Sequence, residues 1–258
     1  MIARVRSIAF NTFREAVRDR VLYNLIVFAL LLIGSALVFG QISIGIEKIV
    51  LINLGLTAIS IFGVVIAIFI GIGLVAKEID KKTLYTVLTR PVRRWEFVLG
   101  KFAGLIGTLT VNAGLMAIGF FGALWLEQRN FVKSDVNLLT ALYFILLEFV
   151  IVTAVALLFS SFSTPLFSTI FSFALFAVGT FGDDLRGLAA SSHGFAKAMI
   201  TLAAYVVPDL SSFNVISLVA HQQPIMPRLI ALNTGYAFFY SAVVLAGAIL
   251  IFDRRNLK

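Results

Sequence analysis

Residues 77–101, KEIDKKTLYTVLTRPVRRWEFVLGK, form a basic, proline-interrupted segment between two long apolar runs, 49–75 and 102–126. Ten of the chain's charged side chains lie in this segment. Each ionised side chain costs about 2.5–3.5 kcal/mol at the centre of a membrane-spanning helix. We therefore predict that the segment lies outside a lipid bilayer and that the apolar run on either side of it crosses one.

The composition of the whole chain supports a membrane protein. Of its 258 residues, 60% are hydrophobic and 13% are charged, whereas soluble domains are about 25% charged. A soluble domain of this length buries only about three-quarters of its surface, which is too little to hide so many apolar side chains. The net charge of +8 is explained by membrane topology, so we expect no nucleic-acid partner. Without cysteine, the chain has neither disulfides nor thiolate metal sites.

The apolar runs predict an all-α integral membrane protein with a single transmembrane domain over residues 1–258. About 20 helical residues cross the hydrocarbon core of a bilayer. The inner segments carry fifteen basic residues and the outer segments six if both termini are cytoplasmic, so the positive-inside rule favours that orientation in the cell membrane. The six predicted spans are 21–40, 49–75, 102–126, 137–159, 165–181 and 229–252.

Two further helices are predicted outside the spans. Residues 1–20 alternate apolar and arginine positions at the helical period, which is typical of an amphipathic helix at the headgroup surface of the bilayer. The alternative is a basic N-terminus that only fixes topology. Within the long extracytoplasmic loop, 183–228, residues 195–207 predict a short interfacial or re-entrant helix that ends at Pro208.

Known catalytic and cofactor patterns are missing from the sequence. The phosphate-binding pattern G-x-x-x-x-G-K-[ST] does not occur, so we expect no ATP site on this chain. The glycines of residues 71–76, GIGLVA, match a dinucleotide pattern, but they lie within a predicted span and favour close helix packing. His193 and His221 are too few for a metal site. We therefore predict a chain that is not an enzyme and holds no metal or cofactor.

Glu148 is the one acidic residue deep within a predicted span. Such a residue is a candidate for function by default, because its charge is costly in the bilayer. It lines a translocation path, carries a proton or serves only as a hydrogen-bonded packing residue, and the sequence leaves these alternatives open. Asn53, Asn112 and Asn233 are weaker intramembrane candidates, since uncharged amides more often join helices than bind ligands.

The polar segment resembles the cytoplasmic loop of ABC transporter permeases of the type-2 (ABC exporter) family. It is most similar to the six-span branch that includes the permeases of nitrous-oxide-reductase copper maturation systems. Lys82 departs from the glycine that many members have before the threonine. The residues that fill the family's positions, and that the resemblance implies for coupling to an ATPase, are Glu78, Thr83, Leu84, Leu88, Pro91, Arg93, Arg94, Gly100 and Lys101.

The resemblance extends to both ends of the chain. Residues 160–165 resemble the family's turn between the fourth and fifth spans, residues 207–214 its segment before the last span, and residues 253–257 its terminal basic tag. It implies the permease subunit of an ATP-driven exporter, with ATP and magnesium bound by separate ATPase subunits. It also implies a second permease copy and allows an extracytoplasmic partner.

Several alternatives stay open at this point. Arg93 and Arg94 either contact the ATPase or only set the membrane topology and bind phospholipid. Glu78 either helps to couple the ATPase to the spans or is a solvated residue at a helix end. The chain could instead be an ion-coupled secondary transporter that uses Glu148, or a membrane-embedded assembly factor. The residues do not name the substrate.

Overall fold

The computed structural model describes residues 2–43, 45–80, 93–129 and 135–254. Over these residues the chain is helical and contains no strand, which confirms the predicted all-α fold. In chain order the helices are α1 (Ile2–Val17), α2 (Arg20–Ile42), α3 (Glu47–Asp80), α4 (Arg94–Gln128), α5 (Val136–Phe162), α6 (Pro165–Thr180), α7 (Gly182–Ser191), α8 (Gly194–Val206), a short 3₁₀ turn (Ser211–Phe213), α9 (Ile216–Ala220) and α10 (Pro227–Arg254).

Helices α2, α3, α4, α5 and α10 are each long and apolar enough to cross a membrane. The remaining predicted span, 165–181, coincides with α6, which has 16 residues and is therefore about 24 Å long, shorter than a hydrocarbon core of about 30 Å. A bend of 66° separates α6 from α7. The two helices are long and apolar enough for a sixth span only when they are counted together. The short length of α6 thus leaves room beside its C-terminal end.

Helix α3 lies at the centre of the bundle and packs against α2, α4, α5 and α6. Two of its glycines receive phenylalanine rings from neighbouring helices. A Cβ atom at Gly63 would lie 1.9 Å from the ring of Phe149 on α5, and one at Gly55 would lie 2.4 Å from the ring of Phe120 on α4. Small residues let membrane helices approach closely, and here they fix α4 and α5 on two sides of α3.

The buried part of the long loop is not the helix that the sequence singles out. The predicted helix at 195–207 is present as α8, but Phe195 and Met199 on it are largely exposed. The segment that enters the bundle follows it: Leu210, Phe213 and the side chains of α9 pack against α3 and α5. Pro208 ends α8 as expected, and the chain after this proline fills the space beside α6.

A polar cluster fixes this segment to the bend between α6 and α7. The Asp209 carboxylate accepts hydrogen bonds from Arg186 and Ser211, and its backbone N–H donates to the Tyr236 hydroxyl at 3.0 Å. The Leu210 N–H donates to the Gly179 carbonyl at 3.0 Å. These bonds satisfy the backbone and side-chain groups around the bend, as buried polar groups require.

The contacts define two ends of the bundle. We call the end that carries α1, the start of α4 and the end of α10 the loop end, because α3 ends and α4 begins there. The opposite end, or far end, carries the starts of α3 and α5, which are joined by a 2.7 Å ion pair between Lys48 and Asp135. The N-terminal helix and the end of the last helix therefore lie at the same end of the bundle.

Candidate functional site

Helix α1 docks along a stripe of glycines on α4. The face that carries Ile8 and Thr12 is turned toward the bundle, whereas the arginines of the helix are exposed. A Cβ atom at Gly100 would lie 2.6 Å from the Ile8 side chain, and one at Gly104 would lie 2.5 Å from the Ala9 carbonyl oxygen. Only glycine permits this approach, so Gly100, one of the predicted coupling residues, is a packing position for α1.

Lys101 is almost fully buried where α1 and α4 meet. Its ammonium group lies 3.8 Å from the Glu15 carboxylate of α1 and 5.7 Å from the centre of the Phe97 ring. The residue is 1% exposed, so a partner protein cannot contact it directly in this arrangement. A buried ammonium needs compensating negative charge and hydrogen bonds. Lys101 therefore belongs to the connection between α1 and α4.

Arg94 connects the start of α4 with the end of α10. Its Nη1 atom donates to the backbone carbonyls of Phe252 at 2.5 Å and Asp253 at 3.1 Å. The guanidinium also lies over the Phe252 ring, which itself stacks on Phe97. Helix C-termini carry unsatisfied carbonyls and partial negative charge, and a cation there satisfies both. The predicted coupling residue Arg94 is thus bound within the chain.

Arg93 precedes α4 and exposes its side chain. Its backbone N–H donates at 3.0 Å to the carboxylate of Glu96, which is 2% exposed. A carboxylate three residues into a helix that accepts this N–H stabilises the helix start. The last residue before α4 therefore exposes a cationic side chain at a fixed point on the loop end.

The other predicted coupling residues belong to the segment between α3 and α4 and to the last turn of α3. Thr83, Leu84, Leu88 and Pro91 lie outside the described residues. Glu78 falls in the last turn of α3, where the structure describes the helical backbone but not the side chain.

Helix α3 has 34 residues and α4 has 35, so each is about 50 Å long and exceeds the hydrocarbon core by roughly 20 Å.

Glu148 lies near the middle of α5 and faces α3. The hydroxyl of Ser60 donates to its Oε2 atom at 2.8 Å, and the residue is 9% exposed. Both side chains line a cavity of about 210 Å³ between α3, α5, α6 and the buried loop segment. The other polar residues of this cavity wall are Thr57, Thr180 and Asn214.

The three asparagine candidates are not brought together and do not line this cavity. The Asn53 side chain donates to the Ile49 carbonyl of its own helix at 3.0 Å. Asn233 on α10 donates to the Ser212 carbonyl at 2.7 Å and so holds the buried loop segment. Asn112 is 3% exposed, and its amide nitrogen has no hydrogen-bond partner among the described residues.

Sequence reasoning missed most of the cavity wall. Ser60, Thr57 and Thr180 are single hydroxyl residues within apolar runs, and such residues are common in membrane helices without any ligand. Asn214 lies 66 positions from Glu148 in a segment whose burial the hydropathy does not predict. The available signal was the run of Asp209, Ser211, Ser212 and Asn214 just before the last span, which is unusually polar for a membrane protein.

These features together define a multi-pass helical membrane protein. Among the described residues, five long apolar helices and a bent pair form the bundle. The family described as ABC-2 family transporter protein matches residues 6–257, so the chain belongs to this family of ABC transporter permeases. This confirms the resemblance found in the loop, while the six-span branch remains a prediction. No curated protein matches the sequence.

Proposed function

We propose that this chain is the permease subunit of an ATP-driven ABC exporter, and that separate ATPase subunits bind ATP and magnesium. The observation that carries the proposal is the family match over residues 6–257, because it covers the loop and all the spans. The absence of a phosphate-binding pattern in the sequence supports an ATPase supplied in trans. The chain itself then does no catalysis.

The geometry at the loop end supports a route for mechanical coupling. In this route, movement of the loop displaces the start of α4. Lys101 and the glycine stripe connect this part of α4 to α1, and Arg94 connects it to α10. Three helices therefore move together when an ATPase pulls on the loop. In this scheme Leu84 and Leu88 fill a groove on the ATPase and Arg93 orients docking, as apolar anchors and rim charges do in other interfaces.

We propose that the loop end faces the cytosol of a cell with the protein in its cytoplasmic membrane. The excess of basic residues at this end supports that orientation. The chain has no cysteine, so a single introduced cysteine is the one thiol on it that a maleimide can label, and its labelling reports the side of the membrane on which it lies. In intact cells, a membrane-impermeant maleimide should label His193→Cys at the far end, and should label Arg18→Cys only after permeabilisation. The reverse pattern would exclude the proposed orientation.

We further propose two permease copies with two ATPases, as in the six-span branch of copper maturation permeases. ATP binding between the ATPases would draw the two loops together, and hydrolysis would release them. The far end, with α7 and α8 exposed, is where an extracytoplasmic partner would bind.

The coupling proposal is tested on the complex purified with its ATPase. Leu84→Asp and Arg93→Glu should each reduce ATP-driven transport at least about tenfold, a loss of roughly 1.4 kcal/mol of coupling, with the permease still in the membrane. The matched controls Leu84→Met and Arg93→Lys keep the apolar anchor and the charge, so transport should stay near normal. Full transport by both disruptive variants, or transport without any ATPase, would refute the proposal.

A further inference from the structure

The cavity beside Glu148 has the features of a binding site. It lies within the bundle, and its wall is contributed partly by the spans α3 and α5 and partly by α6 and the loop segment of the far end. Ser60 bonds to Glu148 within this wall, and the rings of Phe176 and Phe213 form part of its apolar surface. A mostly apolar pocket with a few convergent polar groups is the usual form of a small-molecule site.

The Glu148 carboxyl is only partly satisfied by the protein. Ser60 donates to Oε2, and the second oxygen has no hydrogen-bond partner among the described residues. Glu148 is also the sole ionisable residue among the described residues that line the cavity. A charge at this depth is costly unless an opposite charge meets it. The cavity wall therefore offers one carboxyl oxygen to a cationic or hydrogen-donating ligand.

The lining favours an organic cation over a metal ion. Hard cations such as Ca²⁺ take six or more oxygen ligands, and no group of three acidic, histidine or cysteine residues suited to a metal occurs among the described residues. Phe176 and Phe213 instead supply aromatic rings to the wall, and ammonium groups are attracted to such rings. A cavity of about 150 Å³ holds benzene, so one of about 210 Å³ accommodates an aromatic ring with a short amine chain.

We propose that this cavity binds a small aromatic or aliphatic amine in its ammonium form, with the ammonium group on Glu148 and the apolar body against Phe176 and Phe213. The inference deepens the proposed function, on which it rests for the idea that such amines are transported. Ser60 and Thr57 supply further oxygen acceptors for the ammonium hydrogens. Thr180 and Asn214 place the site next to the loop segment of the far end.

The test measures binding without nucleotide, so that it is independent of ATP coupling. Phenethylamine is titrated calorimetrically at pH 7 into the full chain in lipid nanodiscs, and 2-phenylethanol serves as its uncharged counterpart. We expect saturable amine binding that is at least about tenfold tighter than binding of the alcohol. Glu148→Gln, which keeps the shape of the side chain, should weaken amine binding at least about tenfold.

The matched control is Thr153→Val on the same helix, which removes a fully buried hydroxyl that is outside the cavity wall and should leave amine affinity within about twofold. If Glu148→Gln does not fold, Phe176→Leu gives the second test and should weaken binding severalfold. Unchanged amine binding in the variants, equal binding of the alcohol, or saturable binding of sodium chloride alone would overturn the inference. Failure here with intact ATP-driven transport would leave the permease proposal standing.

Discussion

The guanidinium of Arg94 donates two hydrogen bonds to the last carbonyls of the final helix, those of Phe252 and Asp253. These residues are about 160 positions apart in the chain, yet their contact joins the exit of the basic loop to the end of the last span. Together with the docking of α1 on α4, it makes the loop end a single unit of three helices. The first prediction concerns this contact.

Arg94→Ala should destabilise the bundle by about 1–2 kcal/mol, because it removes charge-assisted hydrogen bonds at a helix C-terminus. Arg93→Ala is the matched control, since its neighbouring side chain is exposed and only its backbone N–H bonds to Glu96. Thermal unfolding in nanodiscs measures both. Equal stability of the two variants would show that the Arg94 contact contributes nothing.

The glycine stripe gives the second prediction. In Gly104→Ala the new Cβ atom meets the Ala9 carbonyl at 2.5 Å, so α1 must shift, at a cost of about 1–3 kcal/mol. Gly114→Ala on the same helix meets nothing within 4 Å and should change stability by less than about 1 kcal/mol. Protease cleavage of α1, followed against time, should be faster in the first variant alone. Similar cleavage in both would argue against tight docking.

The third prediction compares two ion pairs at the far end. Lys48 and Asp135 are 2.7 Å apart, and the aspartate side chain is 7% exposed. Arg186 and Asp183 are 3.4 Å apart, and their side chains are 54% and 78% exposed. Double-mutant cycles with alanine should give a coupling energy above about 1 kcal/mol for the first pair and below about 0.5 kcal/mol for the second, because solvent screens exposed charges. The reverse order would contradict this reading of burial.

The fourth prediction separates two of the asparagine candidates. Asn112→Leu should leave stability unchanged or raise it, because the amide nitrogen has no partner among the described residues and burying it is costly. Asn233→Leu should destabilise by about 1–3 kcal/mol, since it leaves the Ser212 carbonyl without its donor. Unfolding of both variants is followed by thermal scans. A large loss of transport in Asn112→Leu with normal stability would instead assign Asn112 a role in translocation.

Hydropathy and charge by themselves determined that this protein crosses the membrane several times, and they predict that residues 77–101 lie outside it. These properties are sums over local sequence, because the cost of a charge in hydrocarbon does not depend on which helix lies next to it. The loop motif also predicted the family. The only sign of the bend after α6 in the sequence was that the predicted span 165–181 has 17 residues, fewer than the other five.

The tertiary structure alone decided which polar residues meet. The side chains of Arg94 and Lys101 contact α10 and α1, which the sequence did not indicate, while their role in coupling to an ATPase stays a prediction. Ser60 reaches Glu148 across 88 positions, and the segment after Pro208, rather than α8, fills the space beside α6. Such pairings depend on how each helix is rotated about its axis and on close packing between distant parts of the chain. An apolar span with little amphipathic pattern does not show in its own sequence which face packs against which helix.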